Sequence, residues 1–345
     1  MVLQQMRVAR YYSRDDVRLE EMEIPEIGPG ELLVQVKACG LCGSDLMEWY
    51  ADSKAPTVLG HEPVGFVSRL GDGVEGFSPG DMVFVHHHVP CFACHYCLRG
   101  NYSCCATFKQ SGIEPGGFAE YIRVCRINVE RDVLHLPSAI SFEEATLIEP
   151  TACAIRGINR AGVRPGDKVL VIGAGVSGLL FAQLSILWGA SMVVVSDPVD
   201  YRLRKALELG AHAVVNPATD DLGSILDRIT DSVGPEVVIV TVGKASVMEQ
   251  AMRLVSKGGT VLIYAPLPPG YDMAVDVCDL LFCEKSLVST YSCGPEDTRF
   301  ALDLIRDRKI ATDTLVTHRF GLEEVGTAMR LAASAGESLK VVIVP

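Results

Sequence analysis

The chain has 345 residues, which is long for one ordinary domain and sufficient for two, each with its own hydrophobic core. Hydrophobic residues make up 48% and charged residues 21%, a balance typical of globular proteins and not of disordered ones. The formal net charge of -12 excludes a basic surface, so neither nucleic acid nor anionic lipid is expected as a partner.

The N-terminal segment and the cysteines indicate the cellular compartment. Met1–Arg10 is polar and lacks the apolar core of a signal peptide, and the apolar run Leu179–Gly189 is shorter than a membrane span. Twelve cysteines in such a chain favour metal ligands and buried thiols over disulfides. We therefore expect a cytoplasmic protein with no membrane contact.

The first 150 residues are rich in short β-branched runs separated by Gly and Pro. Glu31–Ala38 alternates apolar and polar side chains, as a half-buried strand does. The same pattern recurs in Val64–Arg69, Met82–His86 and Phe118–Val124. The pattern predicts an antiparallel, barrel-like β domain over residues 1–152, which ends in a helical segment at Thr146–Arg160.

Two short motifs in this domain carry residues of a possible reactive metal site. Cys42 and His61 offer a thiolate and an imidazole, and either Glu62 or Glu149 supplies a carboxylate as a third ligand. Asp45 is spaced to orient His61 through a hydrogen bond, as carboxylates behind metal-bound histidines do. The Cys42 motif also contains Ser44, whose hydroxyl would face a bound alcohol.

Four further cysteines lie in a segment of little predicted regular structure, the lobe at about residues 86–112. Cys91, Cys94, Cys97 and Cys105 can close a tetrahedral thiolate shell, which is typical of a structural zinc ion. Cys104 competes with Cys105 as the fourth ligand. A nucleic-acid-binding zinc ribbon is a second interpretation, which the acidic charge weakens. The flanking histidines are interpreted as surface or strand residues: His86, His87, His88 and His95.

From Lys168 to about Thr290, strands and helices alternate. Most of the strands are uniformly apolar, as buried parallel strands are, which predicts a doubly wound α/β domain over residues 153–290. The predicted strands are Val169–Ile172, Met192–Ser196, Ala213–Val215, Val237–Val240 and Val261–Tyr264. The predicted helices are Gly178–Trp188, Asp200–Leu209 and Val247–Val255.

A glycine-rich turn between the first predicted strand and helix indicates a dinucleotide site. Gly173 permits a tight turn, Gly175 lets the backbone approach a pyrophosphate, and Gly178 lets helix and strand pack closely. The helix N-terminus at Val176 and Ser177 would offer N–H groups to the phosphates.

A residue that follows the next predicted strand, Met192–Ser196, favours NAD over NADP. Asp197 lies where a carboxylate would accept hydrogen bonds from the adenosine ribose, and it would repel the 2′-phosphate of NADP. Arg202 complicates this, because a nearby arginine can accommodate a phosphate. NAD is therefore expected, and NADP is the less favoured cofactor.

Residues 291–345 are predicted to return and complete the first domain. The segment contains two amphipathic helices, Pro295–Arg306 and Leu322–Ala333, and a final strand, Lys340–Val344. Six cysteines without an assigned role are interpreted as buried apolar packing: Cys39, Cys125, Cys153, Cys278, Cys283 and Cys293.

These motifs, in this order, resemble the zinc-containing medium-chain alcohol dehydrogenase family from end to end, and most closely its polyol, sorbitol, threonine and scyllo-inosamine dehydrogenase branch. The resemblance rests on the glycine turn, the four-cysteine lobe and four shorter pieces: Ala38–Asp45, Gly60–Gly65, Pro79–Val83 and Gly116–Tyr121. It implies a GroES-like catalytic domain, interrupted by a Rossmann domain, with dimers and tetramers both common.

The resemblance also implies residue roles. Cys42 and His61, with Glu62 or Glu149, would hold a catalytic zinc ion, and residues 173–178 with Asp197 and Arg202 would bind NAD. The nicotinamide would lie near the segment that follows a late strand: Tyr264, Ala265 and Pro266.

One position departs from the pattern of the relatives. The resemblance implies a relay histidine five residues after the ligand cysteine, but Met47 stands there, with Glu48 beside it. The proton then leaves from Ser44 through ribose and water, or through Glu48 or Glu149. Threonine itself becomes a poorer substrate candidate.

The predicted function is zinc-dependent, NAD-linked oxidation of a secondary alcohol, a polyol, cyclitol or amino alcohol, to a ketone by hydride transfer. The alternatives are reduction of small aldehydes or ketones, oxidation of a primary alcohol, and a catalytically inactive module that binds zinc and NAD. A homodimer or homotetramer is expected.

Overall fold

Runs of β-branched residues form many of the strands. Strands near the start of the chain have partly exposed side chains, whereas the central strands of the later parallel sheet are almost entirely buried. A computed structural model describes residues 5–345. Residues 1–4, which begin the polar segment Met1–Arg10, lie outside the described residues. The first strand starts inside that segment, at Gln5.

Seventeen strands lie in residues 5–345. In chain order they are β1 (Gln5–Ser13), β2 (Asp16–Glu23), β3 (Leu32–Gly40), β4 (Thr57–Val58), β5 (Glu62–Leu70), β6 (Met82–Val85), β7 (Ile113–Glu114), β8 (Tyr121–Val124), β9 (Val133–His135), β10 (Lys168–Ile172), β11 (Met192–Ser196), β12 (Ala213–Val215), β13 (Val237–Val240), β14 (Thr260–Ile263), β15 (Ser286–Ser289), β16 (Val316–Phe320) and β17 (Lys340–Ile343).

Twelve α-helices lie in the same residues. They are α1 (Glu48–Ala51), α2 (Ala106–Gln110), α3 (Arg126–Asp132), α4 (Phe142–Ala145), α5 (Ile148–Ala161), α6 (Val176–Leu187), α7 (Asp200–Glu208), α8 (Leu222–Ile229), α9 (Ala245–Leu254), α10 (Val277–Phe282), α11 (Pro295–Arg306) and α12 (Val325–Ala333).

The chain divides into two units. The first contains residues 5–152 and 293–345, and the second contains Cys153–Ser292. In the first unit, an eight-stranded sheet has the path β16-β17-β3-β5-β6-β9, with β8 also paired to β3 and β7 paired to β8. Its pairs are antiparallel except β16 with β17. A smaller sheet, β2-β1-β4, packs apolar residues into the same core.

The second unit is one parallel sheet with the order β12-β11-β10-β13-β14-β15. Its two central strands, β10 and β13, are almost entirely buried, because helices cover both faces of a sheet of this kind. The strand order reverses between β10 and β13, the point at which sheets of this kind bind ligands beyond the carboxyl ends of their strands.

Most predicted elements are confirmed, with ends shifted by a few residues. Three of the predicted parallel strands have the observed bounds, β11, β12 and β13. The predicted strand Phe118–Val124 is too long, since the strand begins at Tyr121, while Ala119 forms only an isolated bridge with Val8. No prediction was made for the hairpin β1–β2 or for α8, α10 and β15.

Helix length and hydropathy were also compared with the thickness of a bilayer. Among residues 5–345, no helix is both long enough and apolar enough to cross a membrane.

Candidate functional sites

The strand pair β3–β5 brings together the first predicted metal ligands. Gly40 at the end of β3 pairs with Glu62 at the start of β5, so the Cys42 loop lies beside His61. The Sγ of Cys42, a ring nitrogen of His61 and a carboxylate oxygen of Glu62 all lie within 4.8 Å of one another. A thiolate, an imidazole and a carboxylate are the ligand types that zinc prefers, and three of them leave one coordination position for another molecule.

Asp45 lies directly behind His61. Its Oδ1 is 3.4 Å from His61 Nδ1, and its Oδ2 accepts a hydrogen bond of 3.0 Å from the backbone N–H of Cys42. Burial disfavours the charge on Asp45, but the nearby His61 and these hydrogen bonds hold the pKa of the carboxyl below its usual value. With Nδ1 facing Asp45, the Nε2 atom of His61 remains for a metal ion.

Glu62 has a charge partner that the sequence analysis missed. The buried ammonium of Lys340, at the start of β17, forms an ion pair with the fully buried Glu62 carboxylate. Apart from the Lys340 ammonium, neither Glu62 oxygen has a hydrogen-bond donor among residues 5–345. Burial raises the pKa of Glu62, which Lys340 opposes. In the sequence, the sign of this ion pair is a single charged residue, Lys340, at the start of an otherwise apolar strand.

These observations fit a divalent ion at the Cys42–His61–Glu62 group. A buried carboxylate with lone pairs that accept no hydrogen bond is costly unless a cation or a metal ion offsets its charge. One lysine supplies a single positive charge beside two potentially negative ligands, Cys42 and Glu62. A zinc ion would compensate the remainder and would use the vacant lone pairs of Glu62.

The other residues predicted for this region lie in different positions. Glu149, near the start of α5, is buried: a carboxylate oxygen lies within 4.8 Å of ligand atoms of His86 and Cys293, and its charge also acts on Glu62 and Lys340. Ser44 is half-buried in the short 3-10 helix Gly43–Leu46. The carboxylate of Glu48 forms an exposed ion pair with Arg14.

The interpretation of His86 as an ordinary surface or strand residue is wrong, whereas the exposed His95 agrees with it. His86 is fully buried: its Nδ1 is 2.7 Å from Asp132 Oδ2, and its Nε2 is 3.5 Å from Cys293 Sγ. His87 and His88 are half-buried, and the His87 ring lies 4.9 Å from that of His61. No local pattern marks His86, because its partners are distant in the chain.

The four-cysteine lobe has the geometry of a tetrahedral thiolate site. Its sulfur atoms lie within 4.8 Å of one another, with Cys94 and Cys97 at 3.5 Å and Cys91 and Cys97 at 3.9 Å. Zn–S bonds of about 2.3 Å in a tetrahedron require sulfur atoms about 3.8 Å apart. The group contains the buried Cys105 and not the exposed Cys104.

Backbone N–H groups point at these sulfur atoms, as the two-residue gaps predict. The N–H of Cys94 donates to Cys91 Sγ at 3.3 Å, and the N–H of Cys91 donates to Cys105 Sγ at 3.5 Å. Although burial raises the pKa of Cys105, hydrogen bonds from the backbone of Cys91 and Phe108 lower it to about 6. Cys105 therefore favours the thiolate form that binds metal, whereas burial and the neighbouring thiols raise the pKa of Cys97 to about 12.

In the turn between β10 and α6, two of the three glycines occupy positions that other residues would strain. Gly173 has a φ of 101°, and a Cβ at Gly178 would overlap the carbonyl oxygen of Gly173. A Cβ at Gly175 would have only Arg202 Nη1 nearby, at 3.8 Å, which leaves space beside the backbone. Helix α6 then starts at Val176 and Ser177, whose N–H groups lie in its first turn.

Asp197 follows β11 and is buried next to the glycine turn. Its Oδ2 accepts a hydrogen bond of 2.7 Å from the N–H of Ala174, and its Oδ1 accepts one of 2.8 Å from the N–H of Val199. Arg202 is half-buried, and burial lowers its pKa while the charge of Asp197 opposes this. The turn and the acidic residue are thus held together by backbone hydrogen bonds.

Tyr264, Ala265 and Pro266 follow β14, at the same edge of the sheet as the glycine turn. The Tyr264 ring packs edge-on against Phe181, with ring centroids 4.9 Å apart. Thr241, which follows β13, was missed: its hydroxyl donates to the carbonyl oxygens of Ile172 at 3.0 Å and Gly173 at 3.2 Å. It fixes the start of the turn.

The six cysteines assigned to apolar packing differ from one another. Burial in the core is confirmed for Cys39 and Cys153. The assignment is wrong for Cys278, which is exposed, and incomplete for Cys293, whose buried sulfur faces His86. Cys125 and Cys283 are half-buried.

Two family models match the chain. The model described as "Alcohol dehydrogenase GroES-like domain" matches residues 28–138, and the one described as "Zinc-binding dehydrogenase" matches residues 177–307. Together with the largely antiparallel sheets of the first unit and the parallel sheet of the second, these matches confirm the predicted fold class, a GroES-like β-rich domain plus a doubly wound domain.

Curated relatives match over nearly the whole chain. L-threonine 3-dehydrogenase of Pyrococcus horikoshii is 36% identical over 335 residues, which is 94% of each chain. Sorbitol dehydrogenase of Bacillus subtilis strain 168 is 30% identical and covers 100% of this chain and 98% of its own.

A solved structure also matches this chain over nearly its whole length. A protein described as a zinc-binding dehydrogenase from Sinorhizobium meliloti 1021, bound to NADP, has a TM-score of 0.89 and 32% identity. The match covers 99% of this chain and 100% of that one.

Proposed function

Because the chain belongs to the zinc-containing medium-chain alcohol dehydrogenase family, we propose that it uses zinc and NAD to oxidise a secondary alcohol, of the polyol, cyclitol or amino alcohol class, to a ketone. That it is an NAD(P)-dependent alcohol or polyol dehydrogenase follows from the family. The finer assignment rests on one observation, the close grouping of Cys42, His61 and Glu62 with Asp45 behind the histidine.

The residues of the first unit would bind and orient the reactants. Cys42, His61 and Glu62 would hold the metal ion, and Asp45 fixes the His61 ring through its 3.4 Å contact. When bound, zinc would polarise the substrate hydroxyl and NAD would accept the hydride. The Ser44 hydroxyl would accept the hydroxyl proton by a hydrogen bond and pass it toward water.

The proton path beyond Ser44 differs from that of relatives with a relay histidine. The thioether of Met47 cannot accept and release a proton at neutral pH. Glu48, one of the two candidate carboxylates, forms an ion pair with Arg14, so it would have to leave that pair to act. We therefore favour a path from Ser44 through the ribose and water.

NAD is favoured by the charge at the second unit. Asp197 lies beside the glycine turn, and its carboxylate would accept hydrogen bonds from ribose hydroxyls and repel a 2′-phosphate. The relative bound to NADP shares 32% identity, so cofactor choice is to be measured directly.

The chemistry of the named relatives supports this substrate class. Threonine at its C3 and sorbitol both carry secondary hydroxyl groups, with an amino or a second hydroxyl group on the adjacent carbon. We expect activity when polyols, cyclitols and amino alcohols are assayed by NADH absorbance, and little with simple primary alcohols. Activity confined to primary alcohols would overturn the assignment of the substrate class.

Cys42→Ala tests the assigned site. Without the thiolate, the metal ion is lost and turnover should fall by at least a thousandfold. NADH binding followed by fluorescence should stay within about twofold, since residues of the glycine turn and not Cys42 would bind the cofactor phosphates. Cys125→Ala is the matched control, because this half-buried cysteine belongs to no ligand group, and it should keep full activity. Unchanged turnover in Cys42→Ala would refute the site.

A further inference from the structure

Three consecutive histidines follow β6, and the middle one, His87, belongs to none of the metal-ligand groups. The His87 ring lies beside that of His61, with ring centroids 4.9 Å apart and planes tilted by 55°. Both side chains are half-buried, so each ring keeps an accessible part next to the proposed metal position. A molecule bound at the open coordination position of the metal would therefore have the His87 ring as a neighbour.

The ring nitrogens of the three histidines are engaged to different extents. Both nitrogens of His86 contact other side chains, and Nδ1 of His88 lies 3.2 Å from a backbone carbonyl oxygen. In contrast, Nδ1 of His87 is buried and forms no hydrogen bond within residues 5–345. A buried polar atom without a partner is costly, and at a functional site a ligand can supply the missing hydrogen bond.

The neighbouring rings hold His87 in place. Its ring centroid lies 5.4 Å from that of His86 and 4.3 Å from that of His88. Since hydrogen bonds fix those two rings, the His87 ring has little freedom to turn away from His61. A polar group held in one orientation loses little entropy when a ligand binds, which favours specificity.

The chemistry of the ring and a nearby charge indicate which ligand group it would bind. An imidazole has at least one N–H donor in either protonation state, and a hydroxyl group both accepts and donates hydrogen bonds. The ammonium of Lys54, 3.8 Å from the centroid of the Tyr50 ring, acts on His87 through its positive charge. That charge disfavours an ammonium group on the ligand, so a hydroxyl group is the better match.

We propose that His87 determines substrate specificity by forming a hydrogen bond with a hydroxyl group on the carbon adjacent to the reacting carbinol. The proposal rests on the proposed function, because it places the carbinol oxygen at a metal ion held by Cys42, His61 and Glu62. A substituent on the next carbon is then the first part of the substrate that can reach a ring beside His61. The substrate class narrows to polyols and cyclitols with vicinal hydroxyl groups, and amino alcohols rank below them.

Three alcohols of equal size test the proposal. 2,3-Butanediol, 3-methyl-2-butanol and 3-amino-2-butanol differ only in the group next to the carbinol, which is hydroxyl, methyl or amino. Wild-type kcat/KM should be about a hundredfold or more higher for the diol than for 3-methyl-2-butanol, since a site that hydrogen-bonds a hydroxyl group rejects an analogue without it. A diol without this advantage, or an amino alcohol that reacts better than the diol, would overturn the proposal.

His87→Phe keeps a ring of similar size and removes both nitrogens. The ratio of kcat/KM for the diol to that for 3-methyl-2-butanol should fall by about tenfold or more, mainly through a higher KM for the diol, because a hydrogen bond to the bound substrate is lost. His87→Gln keeps a donor and an acceptor and should restore part of the ratio. His95→Phe, at an exposed histidine outside the metal-ligand groups, is the matched control and should keep the wild-type ratio. An unchanged ratio in His87→Phe would contradict the role of the ring.

Binding without turnover separates this inference from the proposed function. A diol cannot pass a hydride to NADH, so the complex of protein, NADH and diol is unreactive and can be titrated by NADH fluorescence. His87→Phe should raise the dissociation constant of the diol by about tenfold or more, while its zinc content stays that of the wild type. Loss of a zinc ion from His87→Phe would assign the ring to the support of His61 and would overturn the role in substrate binding.

The two failures give different results. A wild-type protein that is inactive with all three alcohols would refute the proposed function, and the diol titration would then still decide the role of His87. Activity with all three alcohols at similar kcat/KM would refute the role of His87 and leave the proposed function intact.

Discussion

Lys340 carries a positive charge into the interior of the first unit, where it forms an ion pair with the carboxylate of Glu62. Both side chains are almost completely buried, so solvent screens their attraction very little. Removing one partner of a buried pair leaves the other charge uncompensated, which costs far more than the loss of a surface pair. This contrast between two kinds of ion pair can be measured in this chain.

Lys340→Met should lower the free energy of unfolding of the metal-free protein by about 3–5 kcal/mol. The loss should be smaller with zinc present, because a metal ion at Glu62 would replace the lysine charge. Chemical denaturation with and without a chelator measures both values.

Lys205→Met is the matched control, since Lys205 and its partner Glu208, 2.7 Å away, have side chains that are 23% and 54% exposed. For that pair we expect a loss of about 1 kcal/mol or less, because solvent screens it. Equal losses in the two variants would contradict the role given to Lys340.

Asp197 is the residue from which cofactor choice is predicted. Asp197→Asn should weaken NAD binding about tenfold or more, since a hydrogen bond to a charged group contributes about 1.5–3 kcal/mol. NADP should be affected less, so the preference shifts toward it. Titration of both cofactors by fluorescence gives the ratio.

Asp200→Asn serves as the control for that comparison. Asp200 is exposed at the start of α7 and accepts a hydrogen bond from Asn216, so its change should leave the cofactor ratio as it is. An unaltered ratio in Asp197→Asn would refute the ribose role.

At the scale of the element, the β10–α6 turn depends on close packing of its backbone. Gly178→Ala would push a Cβ against the carbonyl oxygen of Gly173, and we expect a destabilisation of about 1–3 kcal/mol. Thermal and chemical unfolding followed by circular dichroism measure the loss. Weakened NAD binding should accompany it, because the same turn faces the phosphates.

Gly223→Ala offers a helical control in the same unit. The nearest atom to a Cβ there is Asp221 Oδ1 at 3.4 Å, which is ordinary contact. Alanine also favours a helix over glycine by about 1 kcal/mol, so this variant should be as stable as the wild type or more so. Equal destabilisation by the two substitutions would contradict the packing argument.

The hydrophobic pattern of the sequence predicted the uniformly apolar elements accurately. It predicted fewer of the other elements. The parallel strands β11, β12 and β13 were found to the residue because every side chain in them is apolar or small. Helix α10 was missed because its apolar residues are exposed, so it has no buried stripe to produce a helical period.

The metal-ligand residues could be predicted from the sequence where they lie close together in short motifs. Cys42 with Asp45, and the four cysteines of the lobe, are local in sequence. Cys293 is 207 positions from His86, and their contact depends on tertiary structure, for which neither residue carries a local signal. The partnership of Lys340 with Glu62 escaped prediction for the same reason.

At the scale of the whole molecule, the second unit exposes an edge strand and a group of apolar side chains. Strand β15 is the last of the six-stranded sheet, and its Leu287 is 39% exposed. Nearby in sequence, Leu281 and Phe282 of α10 are 67% and 82% exposed. Exposed edges and apolar patches of this kind mark interfaces, and we propose that two copies of the chain associate there as a homodimer or as part of a homotetramer.

The double variant Leu281→Asp with Phe282→Asp should shift the protein toward the monomer, because charges would be buried at the proposed interface. Light scattering coupled to size-exclusion chromatography measures the mass. Leu207→Asp, on the exposed side of α7, is the control and should leave the mass unchanged, since Leu207 is 48% exposed but distant in sequence from β15. A wild-type monomer would refute the proposal.

The first unit is assembled from both ends of the chain, and this affects how it forms during synthesis on the ribosome. Cys42, His61 and Glu62 emerge early, whereas Cys293 and Lys340 emerge only after the whole second unit has been translated. The nascent chain therefore exposes a thiolate and a carboxylate without their final neighbours for most of its elongation. We expect the proposed metal site to reach its final charge balance, with Lys340 beside Glu62, only after residues 293–345 have joined the first unit.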